Sequence, residues 1–103
     1  MDDLPFHPAA ALEAVEASTY LEEARVGYSE KFEAELDRLC GRIAEHPRSG
    51  SPLDGYPSEL DVRSYRMDVF RYSLIVVTIE GAPMVLAVAH HGRKPGYWRD
   101  RLE

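Results

Sequence analysis

The sequence is poor in the groups that build disulfides, metal centres and membrane spans. Its 103 residues include one cysteine, Cys40, so no internal bridge can form and no thiol pair can anchor a zinc site. A lone thiol fits a reducing compartment. The longest strongly apolar stretches, around 73–79 and 84–89, fall far short of the roughly 20 residues a helix needs to cross a bilayer. The chain opens Met1-Asp2-Asp3, acidic where a secretory leader is basic, and no apolar segment follows. These absences lead us to expect a cytoplasmic protein with no metal and no cofactor. Lysine is scarce as well, with only Lys31 and Lys94 among 12 basic residues. No segment repeats and none is of low complexity.

What is present suits one compact domain spanning 1–103. The formal net charge of −6 argues against direct nucleic-acid binding by the molecule as a whole. The charge is unevenly spread. Residues 1–61 carry 14 acidic and 5 basic side chains, and residues 62–103 carry 4 and 7. Such asymmetry is a hint of a localised interaction surface. It is equally what an acidic, solvated helical half beside an arginine-bearing sheet would give.

The first half reads as helical. Pro8 suits a first turn, where its missing N–H costs nothing. The run AAALEAVEASTYLEEA that follows is rich in strong helix formers. Ala10, Ala14, Ala17, Leu21 and Ala24 form a small-residue stripe that admits a close neighbour, and Gly27 is the expected stop. A second helix, with Ser29 as its expected N-cap, carries Tyr28, Phe32, Leu36, Leu39 and Ile43 along one face. Glu30, Glu33, Glu35, Asp37 and Arg38 fall mainly off that face. Phe32 and Leu36 are the expected anchors on the sheet, and Cys40 reads as a buried structural thiol. His46-Pro47 ends the helix, since the residue before proline is driven out of the α region. The short link predicts an antiparallel hairpin.

Residues 47–61 read as a loop, with three prolines and two glycines. Strands are expected at 62–67, 69–79 and 84–90, with a turn at Gly81-Ala82-Pro83 and an additional edge strand around 4–7. The tail GRKPGYWRDRLE is basic and aromatic. The expected fold class is α+β, an N-terminal helical hairpin packed on a three- to four-stranded antiparallel β-sheet.

Read in order, FHPAAALEAVEASTYLEEARVGYSEKFEAELDRLCGRIAEHP, VRSYRMDVFRYSLIVV and VLAVAHHGRKPGYWRDR resemble the helical hairpin, the strand pair and the closing strand with tail of ParE-like toxins. These belong to the RelE/ParE superfamily. The likeness spans nearly the whole chain. Arg71 stands where the family commonly has proline, and Val76 where a second tyrosine is common. The resemblance implies the toxin of a type II toxin–antitoxin pair, associated with plasmid stabilisation and neutralised by a cognate antitoxin. ParE-like members are associated with inhibition of DNA gyrase, and RelE-like members with cleavage of messenger RNA on the ribosome. A third alternative is a toxin-like domain that only binds its antitoxin.

Metal-free RNA cleavage needs a base, an acid and cations on the phosphate. His90, Arg93 and Tyr97 are the candidates for that chemistry, with His91 and Lys94 beside them. The supply is thin, and strand alternation points His90 and His91 to opposite faces. The plainer role for His90 is local packing at a strand end. Adjacent histidines with no third ligand are also a poor zinc set. For a protein target, the expected contact residues are Arg93, Lys94, Tyr97, Arg99 and Arg101, because arginine and aromatic side chains dominate interface anchors. Arg63, Arg66 and Arg71 are a candidate basic patch on the sheet. For Tyr97 and Trp98 the structural alternative is a tail folded back over the sheet.

Overall fold

A computed structural model describes residues 4–102. Two helices, α1 (Pro8–Ala24) and α2 (Tyr28–Glu45), are followed by strands β1 (Ser51–Pro52), β2 (Leu60–Arg66), β3 (Tyr72–Ile79) and β4 (Ala82–His90). A short 3-10 helix, Arg99–Leu102, ends the described chain. The four strands form one antiparallel meander in sequence order. The α+β hairpin-on-sheet expectation holds, with four strands.

Helix α1 starts at Pro8, capped by His7, whose Nδ1 accepts the Ala9 N–H at 3.0 Å. The link to α2 differs from expectation. The helix ends at Ala24, and Gly27 (φ +94°) is the residue that launches α2 rather than the stop of α1. Ser29 lies inside the first turn of α2. Its expected capping role falls to Glu22 of α1, whose carboxylate accepts the N–H groups of Gly27 (3.1 Å) and Ser29 (3.0 Å). Those amides, Ser29 first, hold the Glu22 carboxyl below its usual range.

Strand boundaries move for identifiable reasons. The β3–β4 turn is the pair Glu80-Gly81, both at positive φ (52° and 82°), as right-twisted hairpins prefer. Ala82 and Pro83 therefore belong to β4, opposite Ile79 and Thr78. Proline is tolerated there because β4 is an edge strand. Residues 69–71 are not strand. Phe70 turns inward to meet the rings of Tyr28 and Phe32. The expected strand at 4–7 is a single parallel bridge, Phe6 to Val85, closed by His7 N–H to Val85 O and Val85 N–H to Pro5 O. Within the loop at 47–61, β1 pairs Ser51 with Ser64 and Pro52 with Arg63; two residues are too few to leave an alternating pattern.

Both faces of the sheet are covered. On one, Phe32 and Ile43 of α2 meet Leu74, Val76 and Val85, all essentially without solvent exposure. Leu36, the other expected anchor, is only half-buried, while Leu39 and Cys40 lie deeper. Glu35, placed by sequence off the apolar face, is 7% exposed. One of its oxygens accepts the Asp68 N–H, which tethers the β2–β3 connection to α2, and the other finds no hydrogen-bond partner among the described residues. On the opposite face, Val62, Ile75, Val77, Leu86 and Ala87 surround Trp98. The register shifts beside Ile75 and Val76 so that Leu86 is an extra residue in β4. This bulge turns Leu86 and Ala87 toward the same side.

Candidate functional site: the tail over the sheet

The tail lies on the face that the helices leave open. Trp98 is 7% exposed, and its Nε1–H donates to the Tyr56 hydroxyl at 2.8 Å. The Tyr97 ring meets the Trp98 ring edge-on at 5.2 Å. Arg99 lies over the Tyr56 ring and donates to Gly55 O at 3.0 Å. Burial of the two aromatic residues drives the fold-back, and each polar tip finds a partner, as a buried indole or phenol requires.

Glu13 of α1 organises the other side of the tail. One carboxylate oxygen accepts the Val88 N–H (2.9 Å) on the outer edge of β4. The other accepts the Tyr97 hydroxyl (2.8 Å), and Arg101 donates to both (3.0 and 2.8 Å). Arg101 also donates to Leu86 O, the carbonyl at the bulge. Burial pushes the Glu13 carboxyl up, but the Arg101, Val88 and Tyr97 donors together outweigh it and hold the group below its usual range. Burial and the Glu13 carboxylate push the Tyr97 hydroxyl up to about 12, so at neutral pH it is a donor committed to Glu13. Sequence reading assigns Glu13 no role. Its partners lie 75 to 88 residues away, and on α1 it looks like any solvated glutamate.

The five expected contact residues are thus not equivalent. Tyr97 and Arg101 are half-buried and held by Glu13, and Arg99 is tied to the loop at 55–56. Arg93 stacks on Tyr97 (3.8 Å to the ring centre) and lies 3.8 Å from Glu13, with its side chain 54% exposed. Lys94 is exposed. These last two present solvent-exposed charge beside the anchored rings.

His90 packs edge-on against Tyr72 on the helix side and accepts the Gly92 N–H through Nδ1. His91 meets the Ser73 hydroxyl at 2.9 Å on the tail side. Burial first, then the charges of Arg66 and Arg71, lower the His91 pKa. The three sheet arginines do not form one patch. Arg63 is held by Asp61 and by the carbonyls of Arg48 and Gly50. Arg66 lies on the opposite face by strand alternation, near His91 with Arg71. A cleft of about 160 Å³ on the tail side brings together Ser64, Ser73, His90, His91, Arg93 and Tyr97. Another of about 450 Å³, between α1 and the end of β4, is lined by Tyr20, Tyr72, His90, Gly92 and Arg93. Among the described residues no cluster of three or more His, Cys, Asp or Glu is placed to hold a metal ion. No helix there is long and apolar enough to cross a membrane.

The fold and this site define a class: a small α+β protein with a helical hairpin on one sheet face and an anchored cationic, aromatic tail on the other. The chain belongs to the family of ParE toxins of type II toxin–antitoxin systems (parDE), whose sequence model matches residues 4–95. Membership implies a cognate antitoxin as partner. No curated protein matches the chain. The family match stops at Pro95, so the anchors Tyr97, Trp98, Arg99 and Arg101 lie beyond it. Their roles rest on the geometry of this chain.

Proposed function

We propose that this ParE-family toxin acts by binding and inhibiting a protein target, DNA gyrase being the candidate, and that its antitoxin neutralises it by direct binding. The observation that carries the reading is the division of labour in the tail. Tyr97, Trp98 and Arg101 are spent on holding the segment against the sheet, which leaves Arg93 and Lys94 displayed on a preorganised surface. Preorganisation lowers the ordering cost of association, and a rigid aromatic platform bearing exposed cations suits a protein interface.

One observation favours RNA cleavage as a second reading. His91, its pKa lowered first by burial, lies in a cleft with Ser73, Arg93 and Tyr97. Against it, the phenol of Tyr97 is engaged by Glu13, and His90 is packed against Tyr72 and accepts the Gly92 N–H. Expression of the toxin alone, with plasmid supercoiling and transcript integrity followed together, separates the two. Inhibition of supercoiling with intact transcripts, unchanged in His90→Ala and His91→Ala, is expected. Cut transcripts and a loss of toxicity of about a hundredfold or more in His91→Ala, the usual worth of a general base, would establish the enzyme instead.

A further inference from the structure

Most of the tail face of the sheet is apolar: Val62, Ile75, Val77, Leu86 and Ala87 pack beneath Trp98. At the end of the sheet where Arg66, Tyr72 and His90 bound their strands, the same face turns polar. Alternation puts Ser64 and Arg66 on the side of Val62, and Ser73 on the side of Ile75. Arg66 stands opposite Ser73, and Ser64 opposite Ile75, with facing Cβ atoms roughly 5 Å apart. The Ser73 hydroxyl meets His91 Nε2 at 2.9 Å, and the His91 N–H donates to Arg71 O at 2.9 Å. Ser64, Ser73, His91 and Arg93 all line the tail-side cleft.

The charge around this cleft is one-sided. No carboxylate lines it. Glu13, 3.8 Å from Arg93, is already engaged by the Val88 amide, the Tyr97 hydroxyl and the bidentate Arg101. Arg66 and Arg71 are exposed and make no hydrogen bond or ion pair among the described residues, and Asp68 between them pairs with neither. Beyond burial, the charges of Arg66 and Arg71 lower the His91 pKa, which places both within electrostatic reach of the cleft. The volume of about 160 Å³ is well below the roughly 300–1,000 Å³ of sites that enclose whole small molecules. It suits one compact polar group.

We propose that this cleft binds a phosphate group, as the free ion or as the terminal monoester of a larger molecule. The serine hydroxyls and the imidazole hold it from the sheet and Arg93 from the tail, with Arg66 and Arg71 at the rim. Donors on several sides suit a tetrahedral dianion, where a planar carboxylate is satisfied by one guanidinium fork. A phosphodiester offers two free oxygens and a single charge, and leaves part of this donor set unused. Binding makes and breaks no covalent bond, and it does not depend on which target the toxin inhibits.

The test is titration of the purified chain at constant ionic strength with inorganic phosphate, with AMP, and with the dinucleoside monophosphate ApA, which has no terminal phosphate. Chloride is the control, and the His91 ring and backbone amide resonances are followed. Saturable shifts at Ser64, Ser73 and His91 are expected with phosphate or AMP, and the His91 pKa should rise on binding, since a nearby anion favours the imidazolium. Affinity should fall about tenfold in each of Arg66→Gln and Arg93→Gln, the worth of a charged hydrogen bond, and stay unchanged in Arg38→Gln on α2. All three side chains are exposed, so the variants should melt with the wild type. Tighter binding of AMP than of phosphate identifies the monoester as the ligand, and AMP binding no tighter identifies the free ion. Shifts that fail to saturate, that chloride reproduces, that survive both substitutions, or that ApA produces more strongly than AMP would overturn the proposal.

Discussion

The two faces of the sheet are covered by different physical means. On the helix face, α2 lays down a continuous apolar stripe, and Phe32, Ile43, Leu74 and Val76 meet with almost no polar atom between them. On the tail face a short irregular segment does the same work with one buried indole and a set of directed hydrogen bonds to Tyr56, Gly55, Leu86 and Glu13. A regular element can repeat one weak contact many times. A tail without periodicity must instead be pinned at named points. The first arrangement is stable and bland; the second is easily perturbed and displays its cations.

The largest expected effect is on the helix face. Phe32→Ala removes a ring that is fully buried between Phe70 and Tyr72 and should cost roughly 3–5 kcal/mol, read by denaturant unfolding. Leu36→Ala, at a half-buried position, should cost clearly less. Equal losses at the two positions would mean that Phe32 is not the pivot of this face.

Next comes the pin on the other face. Glu13→Gln leaves Arg101 without its counter-charge and should cost up to about 3 kcal/mol, the low end for breaking a buried pair. Trp98 is the only tryptophan, so release of the tail would appear as a red shift and easier quenching of its fluorescence. Because the Glu13 carboxyl is held below its usual range, its contribution is complete above the unfolded carboxylate pKa. It is lost as pH falls through the lower folded value. Glu13→Gln should flatten that acid limb of the stability profile. An unchanged acid limb and unchanged fluorescence would show that Glu13 does not hold the tail.

This contrast also explains what was legible in the sequence. The hairpin, the strand order and the inward turn of Phe32, Leu39 and Ile43 follow from spacing, because packing repeats at the helical period. Burial of Trp98 follows from its size. Glu13, Glu22 and Glu35 were invisible, since each acts on a backbone amide that is displaced in sequence and that no local pattern marks. The candidate tail residues were found by composition. Their sorting into anchors and displayed groups required knowing where Glu13 and Tyr56 stand.

A smaller effect is expected from Trp98→Phe. It keeps most of the apolar burial but deletes the bond to the Tyr56 hydroxyl, for a loss of about 1 kcal/mol. Tyr56→Phe should cost a similar amount, and the double variant little more, because both remove the same bond. Additive losses in unfolding experiments would show that the two side chains contribute separately.

The smallest effect on stability should accompany the largest effect on activity. Arg93 is half exposed, and its approach to Glu13 is loose beside the bidentate pair that Arg101 makes. Lys94 is exposed. Replacing both with alanine should therefore change stability by no more than about 0.5 kcal/mol, as for ordinary surface positions, with Trp98 fluorescence unaltered. If the displayed cations engage the target, the same variant should relieve growth arrest and restore supercoiling in cells. Arg101→Ala should relieve arrest by another route, with the tail detached and Trp98 exposed. A toxin that remains fully active without Arg93 and Lys94 would remove the displayed pair from the interface and leave the anchored rings as the candidate contact surface.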